Sequence, residues 1–66
     1  MATLVKTWQT RAELEIRLMH SEQTMLYAVV TYDRRYNTNS ECQCFHNETD
    51  AIKEGSRRAR LYYFYQ

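Results

Sequence analysis

The chain has 66 residues, with nine Lys and Arg against eight Asp and Glu, one glycine and no proline. At this length it reads as a single domain, residues 1–66, burying only about 60% of the surface its unfolded chain exposes, which excludes an enzyme with a separate cofactor domain and lid. Hydrophobic residues at 44% and aromatics at 14% exclude disorder by composition, and the longest uncharged apolar stretch, near residues 25–32, is too short to span a bilayer.

Met1-Ala2-Thr3-Leu4-Val5-Lys6 lacks the charged and then apolar regions of a signal peptide. The Asn47-Glu48-Thr49 sequon therefore carries no expectation of glycosylation. Ala12, Leu14, Ile16 and Leu18 alternate strictly with Glu13, Glu15 and Arg17, the period of a half-buried strand. The rival is a helix over residues 11–20, opened by the capping box Thr10-Arg11-Ala12-Glu13 and giving an αββα order. That helix would set Leu14 and Leu18 away from Trp8, Ala12 and Ile16 and split the apolar face, so strand is preferred.

Residues 24–33 carry the run Met25-Leu26-Tyr27-Ala28-Val29-Val30-Thr31-Tyr32, β-branched and aromatic, which reads as a strand covered on much of both faces. His20-Ser21-Glu22-Gln23 before it is short enough for a hairpin. Arg34-Arg35-Tyr36-Asn37-Thr38-Asn39-Ser40 reads as a polar loop, and residues 41–46 as a short third strand. A helix follows, capped by Asn47 or Thr49, with Glu48 and Asp50 at its positive end and Lys53, Arg57, Arg58 and Arg60 towards the other. Ala51, Gly55 and Ala59 recur every four residues as a stripe of minimal bulk, flanked by Ile52, Ser56 and Tyr63. Gly55 in a helix loses about 1 kcal/mol against alanine, and close packing on a sheet is the reason it would be there. The expected fold is α+β: a three-stranded antiparallel meander with one C-terminal helix across a face.

Cys42-Gln43-Cys44-Phe45-His46 puts two thiols and an imidazole on one strand face. Cys42, Cys44 and His46 are zinc-type ligands, but the C-x-x-C spacing of zinc knuckles is absent and His20 is the only other histidine. Burial as small core residues is the expectation for both cysteines. Neighbours two apart are poorly placed for a disulfide, which points to a reducing compartment, the cytoplasm. No metal and no cofactor is expected. Nor is an enzyme: a Cys/His pair two apart on a strand seldom brings nucleophile and base together, a single glycine makes no phosphate loop, and Glu13 with Glu15 reads as a solvated face.

To Asp33 the chain has three basic and four acidic residues; from Arg34 on it has six and four. Arg57, Arg58 and Arg60 lie beside Tyr62, Tyr63, Phe64 and Tyr65, which fill a turn and cannot all be buried in so small a monomer. Arginine with tyrosine dominates protein interfaces. A non-enzymatic protein acting by protein–protein contact through Arg57, Arg58, Tyr62, Tyr63, Phe64 and Tyr65 is the first expectation, with a homo-oligomer as one form of that contact. Inhibitors or modulators of host factors encoded by phages or mobile elements have this size and character. The alternative is nucleic-acid binding through Arg34, Arg35, Arg57, Arg58 and Arg60, since arginines with aromatics also contact phosphates and stack on bases.

Phe45-His46-Asn47-Glu48-Thr49-Asp50-Ala51 resembles the strand-to-helix junction of AP2-type DNA-binding domains. The resemblance implies three strands and a helix with an exposed sheet face that enters the major groove. Here that face would carry Glu13, Glu15 and Glu41, which repel phosphates, so no family residue is carried over.

Overall fold

The computed structural model describes residues 2–10 and 13–64, Phe64 by its backbone alone. It contains four strands and a helix: β1 Ala2–Gln9, β2 Leu14–Ser21, β3 Leu26–Asp33, β4 Thr38–Phe45 and α1 Glu48–Phe64. The sheet runs in the order β1-β2-β3-β4 with every neighbour antiparallel, a plain meander. The architecture is α+β with one C-terminal helix on one face, but the sheet has four strands where three are expected. The additional strand is β1. A register shift between Leu4 and Lys6 places Leu4 opposite Met19 and Lys6 opposite Leu18, leaving Val5 as the extra residue of a bulge. Such a bulge switches which positions face inward, so the segment shows no continuous alternation.

Residues 14–21 form a strand, not the rival helix. Thr10, the would-be cap, donates its hydroxyl to the Leu14 carbonyl (2.7 Å) instead. Ala12, expected to lead the apolar face, lies outside the described residues. The β2–β3 and β3–β4 hairpins close without glycine, through left-handed backbone at Met25 (φ 59°) and Asn37 (φ 54°). Asparagine suits that region, whereas Met25 leaves the strand predicted to contain it so that its N–H can donate to the Ser21 carbonyl at 2.8 Å. β4 starts at Thr38, shortening the expected loop to residues 34–37.

Ile16, Leu18, Val29 and Ala51 are fully buried between sheet and helix, with Trp8, Tyr27, Phe45, Ile52, Ala59 and Tyr62 packed round them. Removing each of the three large aliphatic side chains from water contributes about 1.5–3 kcal/mol. Ala51, Gly55 and Ala59 form the helix side of this contact, as the four-residue spacing predicts. A Cβ on Gly55 would stand 2.4 Å from two atoms of the Trp8 ring, so the indole of β1 fills the space that any side chain would take.

Among the described residues no helix covers the opposite face of the sheet. Leu4, Met19, Ala28 and Cys44 face one another in a row across all four strands. Towards the 34–37 turn the same face becomes polar: Glu15 accepts from Gln9 (2.9 Å) and Arg17 (2.6 Å), and the Arg17 guanidinium lies 3.9 Å above the Tyr32 ring. Glu15 is consequently only 9% exposed, not part of a solvated face, and Arg17 first and Gln9 second hold its carboxyl below the usual range. No described helix is long and apolar enough to cross a membrane.

Candidate interaction surface

Asn47 caps α1 by accepting from the Asp50 N–H at 2.9 Å, and Glu48 and Asp50 occupy the positive first turn. The helix continues to Phe64, so the basic residues lie along its middle and none falls in its last turn. Around the helix axis the stripe of Ala51, Gly55 and Ala59 faces the sheet, which turns Lys53, Arg57 and Arg60 to the opposite crest. All three are exposed, and Leu61 (39% exposed) and Tyr63 (44%) flank that crest. Tyr63, expected to flank the sheet contact, is 44% exposed and lies towards the outer side of the helix. Tyr62 is the tyrosine packed against the core.

The arginines divide into two kinds. Arg57 reaches back three residues to Glu54, donating from Nε at 2.9 Å and Nη2 at 2.7 Å, while its side chain stays 62% exposed. Arg58 is 5% exposed. Its Nε donates to Glu54 at 2.7 Å, Nη1 to the buried Val29 carbonyl at 3.1 Å, and Nη2 to Gln43 at 3.5 Å. Glu54 thus receives two guanidinium groups, Arg57 first and Arg58 second in effect, and its carboxyl is driven down to about 2 against the opposing pull of burial. Arg58 belongs to the helix–sheet contact and is not presented to a partner.

The Val29 carbonyl sits beside a second bulge. Thr31 pairs with Ser40 and Val29 with Gln43, so Glu41 and Cys42 both lie across from Val30. Glu41 adopts left-handed backbone (φ 54°), a conformation that strains a non-glycine residue. Its carboxylate accepts from the Tyr62 hydroxyl of α1. That bond lowers the Glu41 carboxyl and raises the Tyr62 phenol. Glu41 is therefore tied to the helix rather than standing beside Glu15 on the uncovered face, and Tyr62 is used by the fold. Phe64's side chain and Tyr65 lie outside the described residues.

Arg34 and Arg35 occupy the 34–37 turn. Arg35 grips Asp33 through Nε (3.2 Å) and Nη2 (3.1 Å) and lies over the Tyr36 ring at 5.4 Å. The Arg34 backbone N–H donates to the Glu13 carbonyl at 2.8 Å, leaving its side chain exposed. Arg34 and Arg35 thus lie in the β3–β4 turn, whereas Arg57 and Arg60 lie on α1. The five arginines expected to meet nucleic acid are divided between a turn and the helix, with Arg58 removed from the surface and Arg35 and Arg57 matched by carboxylates.

Cys42 and Cys44 are free and exposed on the uncovered face, in place of the expected core positions. The helix that would bury them lies on the other side of the sheet. Desolvation first and Cys44 second push the Cys42 thiol up. His46 follows the end of β4 in the junction to α1, and among the described residues no three His, Cys, Asp or Glu side chains gather as metal ligands would. Sequence reasoning passed over Lys53 and Leu61. The signal was available, because the face opposite a stripe of small residues is the face left to solvent. No family model matches the chain, and neither does any curated protein or solved structure.

Proposed function

We propose that the protein is a small, non-enzymatic binding protein whose contact surface is the outer crest of α1, formed by Lys53, Arg57, Arg60, Leu61 and Tyr63. The observation that carries this reading is the pairing of exposed Leu61 and Tyr63 with arginines on the one helix face that the sheet leaves open. Tyrosine and arginine are among the side chains that carry most of the energy of a protein contact once it desolvates them. The basic crest favours a partner with an acidic surface. Two free, exposed cysteines suit a reducing compartment, and the cytoplasm is the location we propose.

The nucleic-acid alternative draws less support, because Asp33 and Glu54 sit within the arginine groups and offset their attraction for phosphate. Capture from nuclease-treated lysate by the tagged protein separates the two. The protein-contact reading expects a retained protein that survives moderate salt and is lost when residues 61–66 are removed. Retention that vanishes with nuclease or falls steeply with salt overturns it in favour of nucleic acid.

A further inference from the structure

We propose that the uncovered face of the sheet is the interface of a two-fold symmetric homodimer, in which two copies pack sheet against sheet. This surface is independent of the helix crest and lies on the other side of the molecule. Its centre is the row Leu4, Met19, Ala28 and Cys44, in which Leu4 is 51% exposed and Cys44 is exposed. No charged side chain lies in that row. The charges on this face, Glu15 and Arg17, are already matched to each other at 2.6 Å, so covering them strands neither.

Two arguments select a second copy as the occupant. The first is size. Four strands about 4.8 Å apart and eight residues long at about 3.3 Å each present about 500 Å² per face, so two copies cover about 1,000 Å² together. That reaches the floor of about 1,000 Å² for a specific interface.

The second argument is shape. Bulk decreases along the row, from Leu4 and Met19 on β1 and β2 to Ala28 and Cys44 on β3 and β4. A two-fold axis parallel to the strands lays β1 over β4 and β2 over β3 of the second copy. Leu4 then meets Cys44, and Met19 meets Ala28, each large side chain over a small one. In the adjoining row Arg17, stacked on Tyr32, meets Val30. The face is therefore complementary to itself under the symmetry that most homodimers use. Sheets packed this way lie about 10 Å apart, and both helix crests are left outward, facing opposite directions.

Light scattering after gel filtration tests the interface. The expected wild-type mass is twice 8.0 kDa, and Ala28→Arg, which places a charge at the centre of the row, is expected to run at the single mass with an unchanged circular dichroism spectrum. Tyr63→Ala is expected to remain dimeric, so loss of the helix contact and loss of this one are read separately. Leu4→Cys tests the axis: a short bis-maleimide should link it to Cys44 of a second copy, and Cys44→Ser should abolish the link. A wild-type monomer at millimolar concentration overturns the proposal, whether or not that monomer binds lipid vesicles or another protein through this face. So does a dimer that survives Ala28→Arg, and a dimer in which Leu4→Cys fails to link overturns the stated axis.

Discussion

Replacing Gly55 by alanine should destabilise this protein, although the same change in an exposed helix stabilises by about 1 kcal/mol. The added Cβ would lie 2.4 Å from Cη2 and Cζ3 of Trp8 and 3.0 Å from Cε3. Carbon atoms rest at about 3.5–4.0 Å, so the ring or the helix must retreat by more than about 1 Å. The indole is held between β1 and the core formed by Ile16, Leu18 and Val29, and moving it opens contacts on its far side. Overpacking of this kind costs about 2–3 kcal/mol, which leaves a net loss of about 1–2 kcal/mol after the helix gain. Urea unfolding followed by circular dichroism measures it, in wild type and in a Trp8→Leu background. With the ring gone, Gly55→Ala should stabilise by about 1 kcal/mol, so the cycle should show a coupling of about 2–3 kcal/mol. A Gly55→Ala variant that gains stability equally in both backgrounds would refute the claim that Trp8 dictates the glycine.

The two neighbouring arginines should separate in the same assay. Arg58→Met keeps the apolar stem but leaves the buried Val29 carbonyl without its guanidinium donor and Glu54 with Arg57 alone, and should cost about 2–3 kcal/mol, whereas Arg57→Ala should barely move the urea midpoint. Equal effects would contradict the division between them. Acid should also weaken the fold through Glu54. Its carboxyl is depressed in the folded state, so its contribution is complete above 4.5, its ordinary value, and lost as pH falls towards about 2. Screening around the exposed Arg57 reduces that contribution to about 1 kcal/mol. Wild type should therefore lose its advantage over Glu54→Gln between those pH values, and a constant difference across them would count against the Glu54 network.

The parts of the fold that the sequence announces are those set by local pattern. Ile16 and Leu18 alternate with charged residues because only one face of β2 is covered, and Asn47 caps α1 because it stands directly before the helix. The small stripe of Ala51, Gly55 and Ala59 announces close packing in the same way. β1 is hidden because the bulge at Val5 breaks its alternation, and a two-residue period cannot be read across a register shift. The roles of Arg58, Glu41 and Tyr62 are hidden for another reason. An arginine in a charged helical run looks like every other arginine, and only the fold brings the Val29 carbonyl of β3, 29 positions from Arg58, and the Glu41 carboxylate of the β4 bulge, 21 positions from Tyr62, against the helix. The cysteines follow from the same topology: alternation places Cys42 and Cys44 on one face, but which face the helix covers is decided by the tertiary packing.

The central claim, that the crest of α1 is the contact surface, is tested most directly by affinity. A partner recovered from nuclease-treated lysate should be titrated against wild type and against a Leu61→Ala/Tyr63→Ala double variant whose circular dichroism spectrum and urea midpoint match wild type. The double variant should bind at least about tenfold more weakly, as the loss of interface hot spots implies. Equal affinities for the two proteins would contradict it.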